Sequence, residues 1–180
     1  MGADIHLYIE YVDNEDSSFS STDSIYLFNE GELLIPRDYN LFAVLAGVRS
    51  YDEFLPLYPP RGFPDPASVD AINSFHINIL DHESERLDEE DVMREMAEEW
   101  VKNRESYIRD SWIKKNGFVS NPSYHNPSWL YLKEIKKAFD HSPYKLKNMP
   151  KEIFVVLDIL ESFENNFGKE SARILFWFDN

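Results

Sequence analysis

The feature that most constrains the fold is the placement of the strand-forming segments, one at each end of the chain. Met1–Val12 alternates with a period of two, with Ile5, Leu7, Ile9 and Tyr11 on one face and Asp4, His6, Tyr8 and Glu10 on the other. Ser171-Ala-Arg-Ile-Leu-Phe-Trp-Phe178 is dense in residues suited to pleated, buried positions and predicts a final strand. Most helical signals lie between these ends. Leu41–Ala46 can be capped by Asp38 or Asn40 and is closed by Gly47. Leu87–Lys115 keeps helical spacing through Met93, Met96, Ala97, Trp100, Val101, Arg104, Tyr107 and Ile108. Asn126-Pro127 reads as a cap and first helical residue for Ser128–Phe139, and Lys151–Phe167 runs from Pro150 to Gly168. Two short apolar runs, Ser24–Phe28 and Glu32–Ile35, flank Asn29-Glu30-Gly31 and predict a hairpin. This is not the regular alternation of a doubly wound parallel sheet. The expectation is α+β: a small mixed or antiparallel sheet with the N- and C-terminal strands adjacent and helices packed on it.

Proline sets a second constraint. Five of the 10 prolines (Pro56, Pro59, Pro60, Pro64, Pro66) fall within residues 48–68, which excludes a continuous helix or a central strand there. The same stretch carries Tyr51, Phe54, Tyr58 and Phe63, so it reads as one long ordered loop packed on the domain. At 180 residues and 43% hydrophobic, the chain suits a single domain, 1–180, with one sizeable core. The formal charge of −15 argues against a generic grip on nucleic acid. No apolar run approaches the ~18 residues of a membrane span, and nothing at the N-terminus reads as a signal peptide. With no cysteine, thiolate metal sites and cysteine nucleophiles are excluded, and a cytoplasmic location is expected. Charge is segregated: residues 81–105 hold 11 acids against 4 bases, and residues 102–151 hold 11 bases against 4 acids. These are two solvated faces, or an acidic surface that competes for a basic partner protein.

Several residues could carry chemistry. Asp4 and His6 project from the same side of a strand with Cβ atoms about 7 Å apart, so they could share a metal ion, or the carboxylate could orient the imidazole. The same pair is also what the polar face of any amphipathic strand presents. His125 and Ser128 stand at the expected loop-to-helix junction, as a catalytic pair or as capping residues. Arg49 and Arg61 suit bidentate recognition of phosphate, or internal ion pairs with Asp65 or Asp38. Asp4, His125 and Ser128 compose a formal hydrolytic triad, but no nucleophile-elbow motif accompanies Ser128. His76, His82 and His141 read as solvated or capping.

Met1-Gly-Ala-Asp-Ile-His6, Leu41-Phe-Ala-Val-Leu-Ala-Gly-Val-Arg49, Arg61-Gly-Phe-Pro-Asp65, His125-Asn-Pro-Ser-Trp-Leu130, Leu132-Lys-Glu-Ile135 and Phe176-Trp-Phe-Asp-Asn180 occur in this order. In these segments the chain resembles a family of small, uncharacterised bacteriophage and bacterial proteins. Ala3 stands where many members carry Cys, and Tyr131 where Thr is usual. Residues 70–119 lie outside the resemblance, which implies a helical insertion there in the single domain. It implies that the separate polar patches meet: with the end strands antiparallel, Asp179 and Asn180 come beside Asp4. His125, Ser128 and Asp179 would then be catalytic, Arg49, Arg61 and Asn180 would bind ligand, and Asp4 and His6 would hold one divalent metal ion. Acid, imidazole and guanidinium together suit phosphate-ester chemistry. The expected ligand is small and phosphorylated, a nucleotide or cyclic nucleotide, either hydrolysed or sequestered. The alternative is an acidic phage protein that inhibits a host defence factor by charge mimicry, with no ligand chemistry. A buried structural network would use the same residues.

Overall fold

The computed structural model describes residues 2–13, 18–29, 31–50, 54–78, 118–120 and 124–179. The predicted helix Leu87–Lys115, the acidic stretch 81–105 with His82, and Asn180 lie outside these residues. In chain order the elements are β1 (Asp4–Val12), β2 (Ile25–Leu27), α1 (Tyr39–Ala46), α2 (Val69–Phe75), β3 (His76–Asn78), β4 (Phe118–Ser120), β5 (His125–Tyr131), α3 (Leu132–His141), α4 (Lys151–Phe167) and β6 (Ala172–Asp179). The chain divides into two compact units, one of residues 1–69 and 125–180, the other of residues 70–124.

The first unit is α+β. Its sheet is antiparallel in the order β2-β1-β6-β5, so the first and last strands are central neighbours. Directly opposed residues share a face. Ile5, Leu7 and Ile9 therefore stand with Ile174, Phe176 and Phe178, and against this face pack buried residues of α1, α3 and α4. In α4 these are Ile153, Val156, Leu157 and Leu160, one stripe at helical spacing. Local signals act as read at both ends of α1: Asp38 Oδ1 accepts from the Leu41 N–H at 3.0 Å, and Gly47 closes the helix at φ 70°. A Cβ on Gly47 would also stand 3.0 Å from Pro56, so the turn needs glycine for both conformation and space.

The opposite face carries Tyr8, Glu10, Leu175 and Trp177, and the proline-rich segment packs over it. The Phe63 ring lies 6.2 Å from that of Trp177. Glu10 and Arg173 face each other in the register and are almost fully buried. Arg173 Nε donates to Glu10 Oε2 at 2.8 Å, and its Nη2 donates to the Pro66 carbonyl at 2.7 Å. Glu10 Oε1 accepts from the Ser68 N–H at 2.7 Å. The arginine also lies over the Phe19 ring at 4.0 Å. This bonded pair fastens the end of the loop to the sheet.

Two expectations are corrected. Ser24–Phe28 and Glu32–Ile35 do not pair with each other. Both lie along β1, with Phe28 N–H donating to the Ile9 carbonyl at 2.9 Å and Leu33 N–H to the Leu7 carbonyl at 2.8 Å. Burial of Leu33 and Ile35 against the core favours that arrangement over a hairpin. Nor does a helix begin at Ser128: residues 125–131 are strand, and α3 starts at Leu132. The β6 backbone offers Ser128–Tyr131 a ladder that outweighs the local Asn-Pro signal. Glu134 Oε2 accepts from the Tyr131 N–H at 3.0 Å at the true helix start.

In the second unit β3 and β4 pair antiparallel, His76 opposite Ser120. His76 is buried rather than solvated, and its Nδ1 is 3.1 Å from the Ile72 carbonyl.

Replacing one member of the buried pair should strand the other. Arg173→Met is expected to cost about 3–5 kcal/mol in urea denaturation, and the double variant Glu10→Leu/Arg173→Met to cost less than that single change.

Candidate functional site

The β1–β6 register sets Asp4 opposite Asp179 and His6 opposite Trp177. Asp4 N–H donates to Asp179 Oδ1 at 3.3 Å. The His6 ring lies between two carboxylates: Nδ1 is 2.9 Å from Glu32 Oε2, and Nε2 is 3.4 Å from Asp179 Oδ2. Its plane is set by the Trp177 indole, stacked at 5.7 Å and 19°, which in turn stacks on Tyr8 at 5.1 Å. The His6 and Asp179 side chains are 20% and 36% exposed, while the Nε2 atom itself is buried. Glu32 arrives because the segment after β2 continues along β1 rather than folding back on it.

Asp4 turns to a cation the sequence reading did not single out. Arg37 Nε donates to Asp4 Oδ1 at 2.9 Å and its Nη2 to Oδ2, a bidentate pair. The guanidinium passes over Gly2, where any Cβ would collide with it. Hydrogen bonding to Arg37 holds the Asp4 carboxyl below its ordinary 3.8. The one signal in the sequence was an arginine between Pro36 and the capping Asp38, and neither periodicity nor spacing linked it to Asp4.

The other expected members stand elsewhere. His125 and Ser128 oppose Phe178 and Phe176, residues of the helix-packed face, whereas His6 and Asp179 belong to the other. The cause is a bulge. Between His125 and Ser128 the register takes one extra residue, with Asn126 at φ 51°. A regular ladder would have set His125 opposite Asp179. Instead the His125 ring stacks on Phe178 at 5.9 Å, and its Nδ1 lies 2.9 Å from Asn126 Oδ1. Ser128 is fully buried and its hydroxyl accepts from the Arg61 N–H at 3.2 Å. These contacts anchor the loop to β5; they do not form a nucleophile with its base.

Arg61 pairs neither with Asp65 nor with Asp38. It makes a bidentate pair with Glu134, at 2.6 and 3.0 Å, and lies over the Trp129 ring at 4.6 Å and the Tyr58 ring at 5.1 Å. Arg49 is exposed on the turn after α1, at φ 55°. The described site is therefore Asp4, His6, Glu32, Arg37 and Asp179. Its chemical repertoire is a stacked imidazole with a carboxylate at each ring nitrogen, next to a carboxylate-bound guanidinium. Among the described residues, no three His, Asp or Glu side chains gather around one cation position. None of the helices there is long and apolar enough to cross a membrane. No family model, curated protein or solved structure matches the chain.

The Asp4–Arg37 pair sets a pH dependence. A carboxyl lowered on folding contributes stability above its ordinary 3.8 and loses it as pH falls through the lower folded value. Arg37→Ala should move the Asp4 titration, followed by carboxyl NMR, back up toward 3.8.

Proposed function

We propose that the Asp4–His6–Glu32–Arg37–Asp179 cluster is the binding site of a small phosphorylated ligand, a nucleotide or cyclic nucleotide, in a cytoplasmic protein of phage type. The observation that carries this reading is the His6 ring set between two carboxylates in a part-exposed cluster, bonded to Glu32 at Nδ1 and with Asp179 3.4 Å from Nε2. An imidazole so oriented can offer its second nitrogen to a bound ligand or to the ligand's cation. Arg37 supplies the planar donor set that phosphate oxygens use. The charge balance adds a condition. Three carboxylates face one guanidinium, so a phosphate approaches favourably only with a cation that offsets the acids. The ligand accordingly binds as its divalent-cation complex, for hydrolysis or for sequestration.

A second reading rests on charge. The 11 acids against 4 bases across residues 81–105 suit an acidic surface that occupies a basic site on a host defence factor. Charge reversal at Glu95, Glu98 and Glu99 would abolish that activity, and His6→Ala would not.

A thermal-shift and turnover screen of nucleotides and cyclic nucleotides with Mg²⁺ or Mn²⁺ separates the readings. A ligand present at a hundred times its Kd should stabilise the protein by about 2.7 kcal/mol, and His6→Ala and Arg37→Ala should each diminish that shift. Product formation identifies an enzyme, and recovery of intact ligand identifies a sequestering protein. A flat panel, without shift or turnover, removes the phosphate reading.

A further inference from the structure

We propose that His6 Nε2 and Asp179 Oδ2 are a two-ligand seat for a divalent cation of the zinc type, with Glu32 positioning the imidazole through Nδ1. The proposal deepens the phosphate-ligand reading and rests on it for the remaining coordination positions.

The spacing is the first support. Nε2 and Oδ2 are 3.4 Å apart. Two ligands each about 2.1 Å from one ion, at a tetrahedral angle, stand about 3.4 Å apart. The two atoms thus already have the separation of neighbours in one coordination shell.

Orientation is the second. A carboxylate 2.9 Å from Nδ1 accepts a proton there and leaves Nε2, 3.4 Å from Asp179 Oδ2, as the unprotonated nitrogen of the ring. A carboxylate on the far nitrogen is the usual way a metal-binding histidine has its tautomer and ring angle set. The Trp177 stack restrains the remaining freedom of the ring. Asp179 is prepared similarly, because its Oδ1 accepts from the Asp4 N–H and Oδ2 is turned to His6.

The remaining acids fit other parts. Both oxygens of Asp4 bond Arg37, so Asp4 serves the guanidinium rather than the cation, unlike in the Asp4–His6 pairing expected from strand spacing. One imidazole and one carboxylate favour Zn²⁺ or a similar borderline ion over Ca²⁺ or Mg²⁺. Two protein ligands leave at least two positions for water or phosphate oxygens, the arrangement in which a cation and a phosphorylated ligand strengthen each other's binding.

The test uses Zn²⁺ alone, titrated into the full chain labelled with ¹⁵N-histidine after chelator treatment. Before metal, the His6 nitrogens should report the Nδ1–H tautomer. On addition, the His6 Nε2 signal should shift. His6→Gln and Asp179→Asn should abolish that binding, and Glu32→Gln should weaken it about 10–100-fold. His141→Gln should leave it unchanged, and thermal melts of each variant establish that it is folded. Zn²⁺ that leaves the His6 nitrogens unmoved, or that binds equally to folded Asp179→Asn, overturns the proposal. Nucleotide binding at full strength with Mg²⁺, and with no Zn²⁺ response at His6, overturns it while leaving the phosphate reading intact. Zn²⁺ binding at His6 with no response to any nucleotide upholds the cation seat and removes the phosphate reading instead.

Discussion

The antiparallel ladder between β1 and β6 is the interaction on which everything else in the first unit depends. It joins segments more than 160 residues apart in sequence and sets Asp4 against Asp179, Glu10 against Arg173 and Leu7 against Phe176 in one register. A slip of one residue would send each of these to the wrong face. Ile5, Leu7 and Ile9 would lose the helix layer, and Glu10 would lose the buried Arg173 guanidinium. The apolar pattern of one face therefore enforces the polar geometry of the other.

The polar face has two parts with different physics. At one end Glu10 and Arg173 are sealed beneath the proline-rich segment, with the Ser68 N–H and the Pro66 carbonyl completing their hydrogen bonds. Such a pair is tolerated in a low-dielectric setting only because its members satisfy each other and the loop backbone. At the other end the loop does not seal the sheet. His6, Glu32, Asp179, Asp4 and Arg37 keep partial exposure and carry an excess of negative charge. Charge that is neither buried nor balanced is better suited to meeting a ligand than to holding a fold.

Much of the fold was legible because its signals are local. Asp38 and Gly47 bound α1, Gly168 ends α4, and the alternation of Asp4–Val12 predicts the strand found there. The meeting of Asp4 with Asp179 was expected only through the resemblance and an assumed antiparallel pairing of the end strands, which the β1–β6 ladder shows. Glu32 and Arg37 were not legible in this way. Glu32 opens a run that reads as a hairpin strand and Arg37 lies in the link to α1, and they reach β1 over 26 and 33 residues through side-chain contacts that no spacing rule encodes.

The amino-acid order by itself determined that the stretches near both ends are strands, where α1 and α4 end, and that a proline-rich stretch must be neither strand nor helix. Periodicity, capping and proline stereochemistry act over a few residues and need no partner. Only the tertiary structure decided what His125 and Ser128 do. A local Asn-Pro signal for a helix start lost to ladder hydrogen bonds with β6, and one extra residue at Asn126 turned the second imidazole away from the face of the first. Pairing energy is non-local, and a bulge shifts the side-chain alternation by one residue, so the two histidines were separated by a backbone event that neither of their neighbourhoods announces.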